Sequence, residues 1–341
     1  MVMTEQSKRV SLLALPNESI GAPIHGLYET LVLVDAVAPE GGKRPLFSVE
    51  IVGPKRGIFP SACGLPLEVH RPIDEVDETD IVIMSSMLFE NMEWVTGQHP
   101  ETVAWLERMH RRGADLCSAC AGALLLAETG LLDGLDTTTH WAFAPTFRKN
   151  FPQVNLHIDE VLMVAGQRGE FVMTGAASSW QDLIVYLISR HASPATARKI
   201  GKFMLYSWDC RSQAPFMPFS PPADHGDSII RQVQDWLQAN HAKGVSVEQI
   251  ADQSGLASAT FNRRFKQATG YSPIQYLQHL RVERARELLE GSDVSIEALS
   301  WEVGYEEVAA FRRVFKRLTT MSPGEYRRKF RIPERSLART A

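Results

Sequence analysis

Apolar and polar positions along this chain follow two different periods. In the first part, short apolar runs recur at Val10–Leu15 (VSLLAL), Leu46–Val52 (LFSVEIV), Asp80–Ser86 (DIVIMSS) and Ala114–Cys120 (ADLCSAC). Runs this short and rich in β-formers predict strands. Amphipathic stretches lie between or after them, at Leu27–Val37, Glu101–Arg112, Gly122–Thr129, Trp180–His191 and Pro194–Tyr206. Strands alternating with helices predict an α/β unit with a parallel sheet, and ligands in such sheets sit at the carboxyl ends of the strands.

Near the end of the chain the period becomes helical and repeats. Residues 246–266 read SVEQIADQSGLASATFNRRFK, and residues 295–316 read SIEALSWEVGYEEVAAFRRVFK. Each copy opens on a polar N-cap, Ser246 or Ser295, and only the first has the Gln249 that approximates a capping box. Val247, Ile250 and Ala251 form an apolar stripe, matched by Ile296, Leu299 and Ser300. Gly255 and Gly304 stand where a turn between two helices needs a left-handed backbone. The second helix of each copy carries an aromatic pair at i,i+4, Phe261/Phe265 and Phe311/Phe315. Its opposite face is basic. Aromatics inside and guanidinium groups outside suit a helix that enters a phosphate-lined major groove.

The candidate DNA contacts are therefore Ser258, Thr260, Asn262, Arg263, Arg264 and Lys266 in the first copy. In the second they are Glu306, Glu307, Ala310, Arg312, Arg313, Lys316 and Arg317. Glu306 and Glu307 suit either compensation of a helix dipole or acceptance from a cytosine amino group. Between the copies, PIQYLQHLRVERARELLEG predicts a long helix ending at Gly291, able to hold both units rigidly. Two units so held can enter successive major grooves about 34 Å apart. With the closing T-x-x-SP-x-x-YRR of Thr319–Arg328, the region over about residues 228–331 resembles the AraC/XylS DNA-binding domain. A plain helical bundle with solvated basic faces would not account for both turn glycines and both aromatic pairs.

Charge agrees. The chain carries 36 Lys and Arg against 40 Asp and Glu, net −4. Residues 228–341 hold 18 against 13, net +5, which leaves residues 1–227 at −9. Double-stranded operator DNA should thus meet the basic part alone. At 341 residues two domains are expected, at 1–213 and 228–331, joined by a proline-rich linker over 214–227 and followed by a tail at 332–341. The chain opens on neither a leader pattern nor an apolar stretch long enough to span a membrane, so a cytoplasmic location is expected. Cys117 and Cys120 have CxxC spacing but no partner pair, and the scattered histidines lack metal spacing, so neither a metal nor a cofactor is expected. Cys117 should face the core, and Cys63 should pack rather than react.

One strand end carries chemistry. After Cys120 the chain turns through Ala121-Gly122 into a helix whose first N–H groups should favour a thiolate. This segment resembles the nucleophile elbow of the PfpI/glutamine-amidotransferase-like superfamily, which implies a flavodoxin-like sandwich over about residues 8–208. LAETGLLDG and TTTHW, and the domain order, resemble GlxA-type regulators, in which such a domain precedes an AraC-type reader. The catalytic set is incomplete. Ala121 replaces the histidine that follows the nucleophile in peptidases of that superfamily, and Ser85-Ser86 replaces an oxyanion glycine pair. Pro23 stands where many relatives have an acid, with Glu18 nearby, while His140 matches a histidine close to the cysteine. The expected use is a small-molecule pocket lined by Cys120, Ala121, His140, Trp141, Ser85 and Ser86, and not an enzyme. The alternatives are a thiol hydrolase or glyoxalase-like enzyme, or a redox sensor at Cys120. The resemblance implies an activator, a homodimer through the first domain, a small-molecule effector and contact with RNA polymerase.

Overall fold

The computed structural model describes residues 7–38, 44–206 and 212–332. Cys210 and the tail beyond residue 332 lie outside them. The chain divides into two compact units, Met1–Gln213 and Ala214–Ala341.

The first unit is built on a seven-stranded sheet. Its strands are β1 (Lys8–Leu13), β2 (Phe47–Gly53), β5 (Arg71–Pro72), β6 (Ile81–Met84), β7 (Asp115–Ala119), β10 (Leu162–Ala165) and β11 (Phe171–Thr174), in the order β10-β11-β7-β6-β1-β2-β5. All pairings are parallel except β10 with β11. The central strands are wholly buried because helices cover both faces. Ile81, Ile83 and Cys117 point into one core with α1 (Gly21–Val37), α5 (Trp180–His191) and α6 (Pro194–Met204). Val82, Met84 and Leu116 point into the other, with α2 (Pro100–Arg111), α3 (Gly122–Glu128) and α4 (Ala144–Asn150).

The expected α/β sandwich is thus present, with differences at its margins. A hairpin of β3 (Gly57–Pro60) and β4 (Pro66–Val69) follows β2, and β8 (Asp136–Thr137) pairs with β9 (Asn155–Leu156). These pieces are half-exposed or too short to print an apolar run. The chain goes outward from β1 to β2 and β5, then returns to the other side of β1 as β6. The point where the strand order reverses therefore lies between β1 and β6, and crevices in open α/β sheets form at such points.

The second unit is all helical: α7 (Ser228–Asn240), α8 (Val247–Asp252), α9 (Ser258–Thr269), α10 (Pro273–Gly291), α11 (Ile296–Glu302), α12 (Val308–Thr319) and α13 (Pro323–Phe330). It holds two separate cores. Ile230, Leu237, Ile250, Phe261, Phe265 and Leu277 form one, and Val282, Leu289, Leu299, Phe311, Phe315 and Tyr326 the other. The helix α10 spans both. The expected linker over 214–227 does not stand free of this unit. Phe219 stacks on His279 with centroids 4.6 Å apart, and Arg286 of α10 donates to the carbonyls of Ala214, at 2.9 Å, and Met217.

Candidate nucleic-acid interface and effector cavity

Each copy of the repeat folds as two helices around a left-handed glycine. Gly255 has φ +64° and Gly304 has φ +88°. Ser246 and Gln249 form a complete capping box at α8, while at α11 Ser295 caps Ala298 N–H alone. In α9 and α12 the aromatic pairs Phe261/Phe265 and Phe311/Phe315 are fully buried. Much of the remaining surface of these helices carries polar and charged groups.

Arg263, Lys266, Arg313 and Lys316 are exposed, and among the described residues none of their side chains makes an ion pair or hydrogen bond. Asn262, Ser258, Glu306 and Glu307 are also exposed, whereas Thr260 and Ala310 are half-buried. Arg312 pairs with Glu297 at 3.0 Å, and Arg317 donates to Gln278 at 2.6 Å. Arg264 departs from the expected basic face. Its guanidinium grips the Asp227 carboxylate through two bonds of 2.8 and 3.0 Å, and Asp227 in turn caps α7. At roughly 100° per residue, position 264 falls beside the aromatic edge of α9, not opposite it. Its counterpart in the second copy is the buried Val314.

In the first unit the elbow forms, but it is closed. Cys120 adopts φ +56°, a strained value for a residue with a side chain. Gly122 lies so close to the carbonyls of Met84 and Ser85 that a side chain there would collide with both. Cys120, Ala121, Ser85 and Ser86 are all buried, with Cys120 only 4% exposed. Burial pushes its thiol up to about 11, outweighing the Ala121 N–H that favours thiolate. The thiolate expected from the helix N-terminus is therefore not favoured, because desolvation is the larger effect. Cys117 is buried on the opposite face as expected, while Cys63 is exposed, contrary to expectation.

The TTTHW segment reaches the elbow through a threonine side chain. Thr139 donates its hydroxyl to the Cys120 carbonyl at 2.8 Å. The His140 ring accepts from Ala142 N–H at 3.1 Å, and burial holds it below the ordinary imidazole range. Among the described residues no hydrogen bond joins His140 to Cys120. The half-buried His140 and Trp141 rings lie against each other, tilted by 33°, with centroids 5.1 Å apart.

Open space lies instead between the loops that leave β1 and β6. A cavity of 570 Å³ is lined by Asn17 and Glu18 from the first loop, and by Phe89, Glu93, Trp94 and His99 among others from the second. Glu18 and His99 meet at 3.1 Å, and this bond raises the imidazole above its ordinary value. Trp94 is oriented by its indole N–H, which donates to Glu128 at 2.9 Å.

A family model described as a helix-turn-helix domain matches residues 250–329. The HTH-type transcriptional regulator GlxA of Rhizobium meliloti (strain 1021) is 24% identical over 288 residues, covering 84% of this chain and 86% of that protein. The HTH-type transcriptional regulator CdhR of Pseudomonas aeruginosa is 25% identical over 240 residues, covering 70% and 69%. The HTH-type transcriptional activator RhaS of Enterobacter sp. (strain 638) is 35% identical over 104 residues, 30% of this chain and 37% of that protein. The chain is a DNA-binding transcription regulator with an AraC-type reader.

In this regulator, four of the six expected pocket residues are packed in the core and none of the six lines the cavity. The cavity residues gave no motif. Their sequence signal was topological: they follow the two strands that flank the reversal of strand order, and only the pairing order reveals which strands those are. A row of aromatic rings nevertheless connects the cavity to the expected site. Trp94 packs on Phe89 with centroids 5.5 Å apart, Phe89 on Phe143 at 5.1 Å, and Phe143 on His140 at 6.0 Å.

Proposed function

We propose that the first unit is a sensor, and that a small molecule in the cavity between the β1 and β6 loops controls transcription through the second unit. The carrying observation is the 570 Å³ cavity at the point where the strand order reverses. The aromatic row from Trp94 to His140 supports a route outward. Beyond it the Trp141 N–H donates to Gln213 at 3.2 Å, and the Gln213 amide donates to the carbonyls of Thr139, at 2.9 Å, and Glu160, at 3.0 Å. The next residue in the chain is Ala214, whose carbonyl is held by Arg286 of α10. A ligand that biases the Trp94 side of this row would bias the strap entering the reader.

The regulator acts as an activator in this reading, binds operator DNA and contacts RNA polymerase. It forms a homodimer through the first unit, where Val32 and Leu33 of α1 are exposed apolar side chains. The Cys120 thiol is buried and, among the described residues, no carboxylate acts on it, which favours sensing over catalysis. The test is a thermal-shift screen of small amines, amino acids and carboxylates, followed by a transcription reporter. A true effector at a hundred times its Kd adds about 2.7 kcal/mol of stability. Trp94→Ala should remove that shift. Gln213→Ala should keep the shift and lose the reporter response. A shift untouched by Trp94→Ala, or a normal response from Gln213→Ala, would refute this location and this route respectively.

A further inference from the structure

The two halves of the reader have separate cores that meet along α10, so contacts at their boundary bear on the angle between α9 and α12. We propose that Arg281 does this, and that it thereby fixes the spacing of half-sites that the regulator accepts. Arg281 lies on α10 at the boundary between the cores, one residue before Val282 of the second and four after Leu277 of the first. It is a charged side chain only 9% exposed. Its guanidinium donates to the His241 carbonyl at 2.8 Å and to the Lys243 carbonyl at 2.9 Å, both in the loop between α7 and α8. The same group lies over the Tyr305 ring, 5.2 Å from its centroid, in the turn of the second copy. One planar group thus clamps the loop of the first half to the turn of the second.

The backbone completes the clamp. At Gly304 an added side-chain carbon would stand 2.7 Å from the Ala242 carbonyl oxygen and 3.1 Å from the Arg281 guanidinium. The second copy therefore needs glycine twice over, for φ +88° and for this close approach. Gly255 in the first copy has open space and needs it only for φ. The asymmetry marks the second turn as the docking point. Lysine cannot replace Arg281 here, because an ammonium lacks the planar fork that serves two carbonyls and a ring face together.

Arg281 touches no base in this account; it is a positioning residue. Two reading helices on one connector behave as linked modules, and rigid pre-orientation raises the effective concentration of the second at its groove. The inference rests on the second unit reading DNA through both helices, and the test separates the two claims. An operator is selected from a random duplex pool with the full unmodified chain. Binding of the full chain is then measured to that operator, to a duplex with one half scrambled, and to duplexes with the halves moved by one base pair. For Arg281→Lys and Tyr305→Leu, affinity for the full operator should fall roughly 10- to 100-fold, as expected when linkage is loosened. Affinity for the half-scrambled duplex should stay as in the parent, and the penalty for moved halves should shrink. Equal losses on the half-scrambled and full duplexes would make Arg281 a plain stability residue and overturn the proposal. So would an unchanged spacing preference. Failure of the parent chain to distinguish full from half-scrambled DNA would refute two-helix reading itself. Arg281→Ala is a stronger variant for the same comparison, with thermal melting as its folding control.

Discussion

Replacing Phe265 or Phe315 with alanine is expected to cost about 3–5 kcal/mol and to disable one reading helix while leaving the core of the other half standing. Both rings are fully buried, and each stands in a different cluster. Phe265 packs on Phe261 at 5.4 Å and edge-on to Tyr276 at 5.3 Å, and Phe315 repeats this with Phe311 at 5.6 Å and Tyr326 at 5.5 Å. Truncation removes the ring from a site walled by other rings, which cannot collapse to fill it. Amide hydrogen exchange on the full chain is the measurement, since a single unfolding free energy is poorly defined for two units. Phe265→Ala should accelerate exchange in α7–α9, and Phe315→Ala in α11–α13. Uniform acceleration across α7–α13 for either variant would show one cooperative core where two are described.

The second large effect is on base discrimination. Arg263→Ala and Arg313→Ala should each cost roughly 1–3 kcal/mol at one base pair and relax the preference there, because a bidentate guanine contact is lost. Both side chains are exposed, and among the described residues neither makes a side-chain ion pair or hydrogen bond. Lys266→Ala and Lys316→Ala should weaken all sequences about equally, since an ammonium at a phosphate reads no base. Arg264→Ala serves as the contrast. Its guanidinium belongs to Asp227, so the substitution should destabilise the start of α7 and leave base preference alone. A panel of single-base operator variants decides among these. A relaxed preference in Arg264→Ala, or a uniform loss in Arg263→Ala, would contradict the assignment.

The reader was largely legible in the sequence because its constraints are local. A left-handed turn requires glycine, a recognition helix requires an apolar edge, and a repeat prints both twice. The repeat also held the correction for Arg264: the aligned residue is Val314, and a valine at the same wheel position marks a core-facing edge. The sheet was legible from its central strands, whose double burial leaves unbroken apolar runs. The half-exposed hairpin, the edge strand β10 and the two-residue strands left no such runs. The first-unit site was half legible. The strained turn at Cys120 follows from small residues on either side of it, but whether its thiol faces solvent depends on packing by Leu124, Ser86 and the Thr139 segment. The cavity beside Glu18 and His99 depends on strand order, which no local pattern records.

Binding of double-stranded DNA through the basic faces of two helices held by α10 has a characteristic dependence on salt. The direct measurement is the affinity of the full chain for its selected operator across a salt series. The log–log plot should be linear, with a slope near 0.9 per phosphate neutralised, so that six to ten contacts lose about 10³–10⁵ in affinity between 50 and 200 mM salt. Lys266→Ala and Lys316→Ala should each lower that slope by about one. Binding that is absent, or independent of salt, or whose slope ignores both lysines, would contradict the account.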